Sequence, residues 1–247
     1  MLLTTPGLVL RVTKTGESDR VLSILTPQLG VISAIAKGSL RLRSKLHSAT
    51  GLFCYAEFTL FQGKGMFVVD DAAVKEVFFG LHEDVEAMAL AMYCAEFTAT
   101  LSPEGEDAEK QLRLLLNTLY LLSEKKRPPR LVKAVFEIRA LSTCGYMPDL
   151  VACAGCMKYD GGAFYFDPEQ AQLLCAECAA KQDRTPNLDE AALAAMRHAA
   201  YAEDAKLFSF QLGEAALAQF GAAAGQYALY CLDKPLKTLP FLETVLT

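Results

Sequence analysis

Cys153 and Cys156 form one C-x2-C hook, and Cys175 and Cys178 form a second, 18 residues further on. A two-residue spacer lets both sulfurs of a hook turn toward one ion, and four thiolates complete a tetrahedral shell at about 2.3 Å. The separation between the hooks falls in the range of zinc ribbons. The competing reading is four ordinary buried thiols, or a pair of redox dithiols. A closed shell of four sulfurs leaves no position for water or substrate, so the spacing predicts one structural zinc per chain rather than a catalytic one. Between the hooks, Gly161-Gly162 and the alternating run Ala163 to Phe166 suit a turn and a short strand.

A second stretch has the residue types to meet a polyanion. Lys37-Gly-Ser-Leu-Arg-Leu-Arg-Ser-Lys45 places four cations in nine residues, with small residues that let a loop lie against a phosphate backbone. Lys37, Arg41, Arg43 and Lys45 are therefore the expected principal DNA contact, with Arg11 a weaker candidate from the neighbouring strand. The alternative is a solvated surface loop. The net charge of −5 hides an uneven distribution, with seven Lys and Arg against two acids in residues 1–50 and 17 against 27 in the remainder. Phe53, Tyr55 and Phe58 are candidates for base stacking, as on a single-strand-binding barrel, or else core residues. The three histidines, His47, His82 and His198, fall in separate segments outside any hydrolase, kinase or metalloprotease pattern. Asp70-Asp71 and Glu83-Asp84 are expected at element boundaries, where turns and helix starts favour acids. Converging reactive groups are missing, and no enzyme is expected.

The elements that would position these residues change period at about Gly80. From Leu8 to Phe79 the apolar pattern is strand-like, with segments at 8–12, 21–25, 31–35, 53–61, 67–69 and 74–79 separated by turn residues. Five or six short strands without a long helix suggest a small barrel. Beyond Gly80, helical spacing marks helices around Val85 to Phe97, Leu112 to Leu122 and Leu131 to Leu141. Two more helices are expected, one opening at Pro186 to Glu190 and one bearing Leu217, Phe220, Ala224, Tyr227 and Cys231. The expected fold is α+β and multidomain, with a barrel over 1–80, a helical domain over 81–150 and 186–247, and a four-cysteine zinc ribbon inserted over 151–185. With 52% apolar and 21% charged residues the chain reads as globular, and Cys54, Cys94, Cys144 and Cys231 as buried thiols of a reducing compartment. No secretory signal or convincing membrane span is visible, so the expected location is cytoplasmic, and nucleoid-associated when bound to DNA.

Taken in order, these parts resemble the RecO family of bacterial recombination mediators. The resemblance lies in Leu8-Val-Leu-Arg-Val, Gly16-Glu-Ser-Asp-Arg20, Thr26-Pro-Gln-Leu-Gly30, Ala36-Lys-Gly38 and Ser44-Lys-Leu46. It continues in Phe136-Glu-Ile-Arg139, in Gly145-Tyr-Met-Pro-Asp-Leu150 running into the first hook, and in Lys234-Pro-Leu-Lys-Thr238. Where similar proteins usually carry Gly-Gly before the second hook, this chain has Ala171-Gln172, and Leu239 stands where they carry an arginine. The resemblance implies that the barrel is an OB-fold. It implies binding and annealing of single-stranded DNA, with double-stranded DNA a further candidate. The implied partners are RecR and the C-terminal peptide of single-stranded-DNA-binding protein, with RecA loaded indirectly. Val135, Ile138 and Arg139 are the candidates for docking that acidic peptide, although Arg139 also reads as an ordinary intrahelical ion-pair residue. The other class of function is a zinc-containing protein–protein adaptor that does not bind DNA itself.

Overall fold

The computed structural model describes residues 2–246. Among them, strands β1 (Leu2–Thr15), β2 (Asp19–Thr26), β3 (Gly30–Ala36), β4 (Cys54–Gln62) and β5 (Phe67–Val77) close into a barrel in the order β1-β2-β3-β5-β4. Neighbours are antiparallel except β3 and β5, which run parallel through Ala34↔Phe67 and Ile35↔Val68. Apolar side chains at alternate positions point inward, and Leu22, Ile24, Ile32, Phe58, Leu60 and Val69 fill the interior.

Two expectations change here. The segments at 67–69 and 74–79 belong largely to one strand, β5, which pairs with β4 through register shifts at Tyr55/Ala56 and Thr59/Leu60. Asp70 and Asp71 therefore sit in mid-strand, exposed on the outer face, and not at an element boundary. Phe53 and Phe58 are buried, which removes both as stacking platforms and leaves Tyr55 half-buried.

Contacts group the chain into residues 1–124 and 125–247. In the first unit the barrel is joined by α1 (Val85–Leu101), capped by the Asp84 carboxylate accepting from Ala87 N, and by α2 (Glu109–Ser123). The β2–β3 turn docks on the connection between these helices. Val31 N donates to the Ser102 carbonyl (3.0 Å), Gly105 N to Leu29 (3.0 Å) and Ala108 N to Pro27 (2.7 Å). Gly30 is required twice over, since its φ is +60° and an added Cβ would lie 2.1 Å from the Pro103 carbonyl oxygen.

The second unit is built on α3 (Pro129–Thr143), which packs against α5 (Glu190–Tyr201) and α6 (Glu214–Cys231). Glu137 is wholly buried on α3 and paired at 2.6 Å with Lys133, four residues away. A three-stranded sheet of β6 (Asp149–Cys153), β8 (Gln172–Cys175) and β7 (Phe164–Asp167) lies between α3 and α5 in the chain. The short helices α4 (Ala176–Ala180) and α7 (Leu239–Val245), with 3-10 turns at Phe79–Glu83 and Asp204–Lys206, complete the described elements. Among the described residues, no helix is long and apolar enough to cross a membrane. The expected three-part division remains a proposal beside this grouping, in which α1 and α2 fall with the barrel.

Gly30→Ala is expected to destabilise the first unit by at least roughly 1–3 kcal/mol, the usual strain of a left-handed non-glycine residue, because the carbonyl contact adds to it. Urea denaturation with and without the substitution measures this.

Candidate metal centre and nucleic-acid interface

The four expected cysteines converge. Their sulfurs lie within 4.8 Å of one another, and Cys156 Sγ is 3.6 Å from Cys175 Sγ. A tetrahedral zinc with sulfurs at about 2.3 Å would hold them roughly 3.8 Å apart, so the donor set fits one such ion with little movement. Secondary structure explains the convergence: the first hook leaves β6, while the second begins at the end of β8 and runs into α4. The first hook is a tight knuckle in which Met157 N donates to the Cys153 carbonyl (2.8 Å) and Cys153 N to that of Lys158 (2.8 Å). Gly155 fits because an added Cβ would sit 3.0 Å from Cys178 Sγ.

The electrostatics favour a cation among the sulfurs. Burial pushes the Cys153 thiol up, but backbone N–H groups of Cys175, Cys156 and Gly155 outweigh it and bring the group down to about 6. Hydrogen bonding with the sulfurs of Cys175, Cys153 and Cys156 pushes Cys178 up to about 12. The first thiolate forms readily, whereas the complete set calls for a neutralising ion at its centre.

Residues not foreseen from the sequence fix this sheet to its helices. Arg197 of α5 donates from Nε to the Leu150 carbonyl (2.7 Å) and from Nη2 to those of Val151 (2.9 Å) and Tyr159 (2.7 Å). Its guanidinium also lies over the Tyr159 ring, 4.5 Å from the centroid. The Tyr201 hydroxyl accepts from Leu150 N and donates to the Pro148 carbonyl, while Asn187 both accepts from and donates to the backbone of Phe166. The Phe166 ring makes a T-shaped pair with Tyr227 of α6, the centroids 5.5 Å apart. Ala171, at one of the positions where similar chains carry glycine, has a left-handed φ of 53°, which gives that glycine preference a backbone cause.

The cationic stretch is the connection from β3 to β4, and neighbouring residues at the start of β2 hold it at both ends. Asp19 Oδ1 accepts from Gly38 N at 2.7 Å. Arg20 Nη1 donates to the His47 carbonyl (3.1 Å) and to Thr50 Oγ1 (2.7 Å). Inside these ties the loop buries Ser39, Leu46 and Ala49, with Leu46 and Ala49 joining the barrel core. Lys37, Arg41 and Arg43 are exposed and, among the described residues, make no ion pair, although Lys37 and Arg41 both act on the Asp19 carboxylate. Lys45 differs. It is exposed but bound at 2.9 Å to Asp71 of β5, so part of its charge is already answered. Arg11 is exposed on β1 opposite Ser23. Lys14, exposed and directly across from Arg20, is a further cation that the sequence pattern did not single out.

Val135 and Ile138 are completely buried in the second unit. Arg139 is neither an exposed docking cation nor an intrahelical ion-pair residue. It is 8% exposed, and its guanidinium donates to the carbonyls of Ala200 and Ala202 at the end of α5. Burial lowers its pKa, opposed by the charge of Asp204. The arginine thus satisfies backbone groups that a helix end leaves open.

Comparison with known proteins agrees with this arrangement. The family model for the N-terminal part of recombination protein O matches residues 1–78, and that for its C-terminal part matches residues 82–240. The chain belongs to the RecO family. Among its relatives, the DNA repair protein RecO of Acetivibrio thermocellus is 35% identical, with 98% of this chain and 97% of the relative covered. That of Dehalococcoides mccartyi is 31% identical over 98% and 95%, and that of Symbiobacterium thermophilum 30% over 97% and 96%.

For the metal centre, elemental analysis of protein purified under reducing conditions is expected to find one ion per chain, lost in Cys175→Ser. Protease cleavage in that variant is expected to begin within 151–185 while the barrel stays resistant, because ligation supplies the folding free energy of a small module.

Proposed function

We propose that this RecO-family chain is a nonenzymatic mediator of recombinational DNA repair that binds single-stranded DNA and anneals complementary strands. The observation that supports this best is the β3–β4 loop, where exposed Lys37, Arg41 and Arg43 stand on backbone tied to the barrel wall by Asp19 and Arg20. Phosphate contacts from such cations carry no base preference. They lower repulsion between two strands while leaving base edges free to pair. The strand order and the closing pair β1–β4 suit an OB-fold, a barrel used widely for oligonucleotides. Arg11 and Lys14 on β1 would extend the contact, and duplex DNA could meet the same cations.

The ion at Cys153, Cys156, Cys175 and Cys178 is, on this reading, a structural zinc. All four donors are sulfur, and among the described residues no further His, Cys, Asp or Glu joins the group. Zinc would hold β6 and β8 together, and Arg197 would pass that order to α5. Partnership with RecR and with the acidic C-terminal peptide of single-stranded-DNA-binding protein, and through them the loading of RecA, rests on the family resemblance alone. In the present conformation Val135 and Ile138 have no surface to offer such a peptide, and Arg139→Ala would weaken the end of α5 whether or not a peptide docks there.

A fluorescent oligonucleotide titrated at several salt concentrations tests the central reading. Each phosphate neutralised on a single strand contributes about 0.7 to the slope of log affinity against log salt, so Lys37→Ala/Arg41→Ala/Arg43→Ala is expected to flatten the slope by roughly 2 and remove most binding. Asp71→Asn should act in the opposite direction, strengthening binding a few-fold by releasing Lys45. A folded triple variant with undiminished affinity and slope would mean that the DNA contact lies elsewhere on the chain, whereas a wild-type protein with no salt-sensitive binding would turn the reading toward a protein–protein adaptor.

A further inference from the structure

Leu42 stands between Arg41 and Arg43 at the tip of the β3–β4 loop and is 98% exposed. Among the described residues the next most exposed large apolar side chains, Phe79 and Met157, reach 73%. Single exposed leucines are common on protein surfaces, but this one differs from its neighbours in the same loop. Leu46 is buried in the barrel core, and Leu40 is half-buried with its N–H donated to the Ser18 carbonyl at 2.9 Å. Those two leucines seat the loop, whereas Leu42 has no protein surface to cover.

The backbone around it is ordered by successive turns. Arg41 N donates to the Gly38 carbonyl (3.1 Å), Ser44 N to that of Arg41 (2.9 Å) and His47 N to that of Ser44 (3.1 Å). A turn tip is ordinarily given to Gly, Asn, Asp or Ser. Here a branched apolar side chain is exposed to solvent, and the residues before and after it in the chain carry guanidinium groups, each able to grip a phosphate in a forked geometry. An apolar group flanked by phosphate-binding cations has the chemistry of a wedge, which enters between neighbouring bases while their phosphates are held on either side.

We propose that Leu42 inserts between adjacent bases of a bound single strand whose phosphates are held by Arg41 and Arg43. This rests on the reading of the loop as the DNA contact. Spreading one base step would oppose self-stacking and present base edges to a complementary strand.

An oligonucleotide carrying 2-aminopurine, whose fluorescence rises when the base is unstacked, provides the probe. The full-length protein is expected to raise that fluorescence at saturation. Leu42→Ala should bind roughly tenfold more weakly (about 1.4 kcal/mol), keep the wild-type salt slope and lose the fluorescence rise, and Leu42→Phe should restore it. Because Leu42 is outside every core, all these variants should melt as the wild type does. If Leu42→Ala keeps both affinity and fluorescence while Arg41→Ala/Arg43→Ala flattens the salt slope, the wedge is wrong and the cationic contact stands. If neither set changes binding, the DNA contact itself lies elsewhere and the wedge falls with it. A basic loop with an apolar tip could instead meet an anionic bilayer. Leu42-dependent sedimentation with phosphatidylglycerol vesicles, with no change in DNA binding, would overturn the proposal in favour of a lipid surface.

Discussion

Two adjacent residues of opposite charge, Asp19 and Arg20, hold the two ends of one loop. The carboxylate accepts from the backbone where β3 ends, and the guanidinium donates to the backbone and hydroxyl that precede β4. Both groups are fixed in turn because β2 is paired on either side, by β1 and by β3. A connection of this length between strands would otherwise sample many conformations, and ordering it only on contact with a ligand would cost entropy at that moment. Tied at both ends, and seated by Leu46 and Ala49, it presents Lys37, Arg41 and Arg43 from backbone already in place.

The second unit solves a different problem. Its three-stranded sheet is too small to bury a core of its own; side chains from α5 and α6 hold it on one side, and on the other it gathers four sulfurs that could take a metal ion. Arg197 is central, since it answers three carbonyls at once and stacks on Tyr159. Arg139 does comparable work inside the helical layer at the last turn of α5. Arg139, a cation that the sequence suggests for a ligand, instead meets backbone oxygens, which is what a buried guanidinium must find.

The cysteine hooks were legible in the sequence because metal chelation is a matter of local spacing, and the helices because their apolar period is local too. The continuity of β5 was hidden by Asp70 and Asp71, a polar pair that reads as a turn yet sits on the outer face of a bulged strand, where Asp71 finds Lys45. Phe53 and Phe58 could be placed inside or outside only once the barrel closed. Arg197, Tyr201 and Asn187 were invisible because their partners lie 21 to 53 residues away in the chain. Asp19 and Arg20 stood within a stretch that resembled the family, but their partners, 19 and 27 to 30 residues on, show what the pair does.

Asp19→Ala separates preorganisation from net charge more directly than any change to the cations. The substitution removes an acid beside Lys37 and Arg41, so simple electrostatics would strengthen binding to single-stranded DNA. If the loop works because its backbone is held, losing the bond to Gly38 N must weaken binding instead, by about fivefold, or about 1 kcal/mol, comparable to the net worth of one hydrogen bond. Weaker binding by the folded variant at matched salt is the predicted result. Equal or tighter binding would contradict the account.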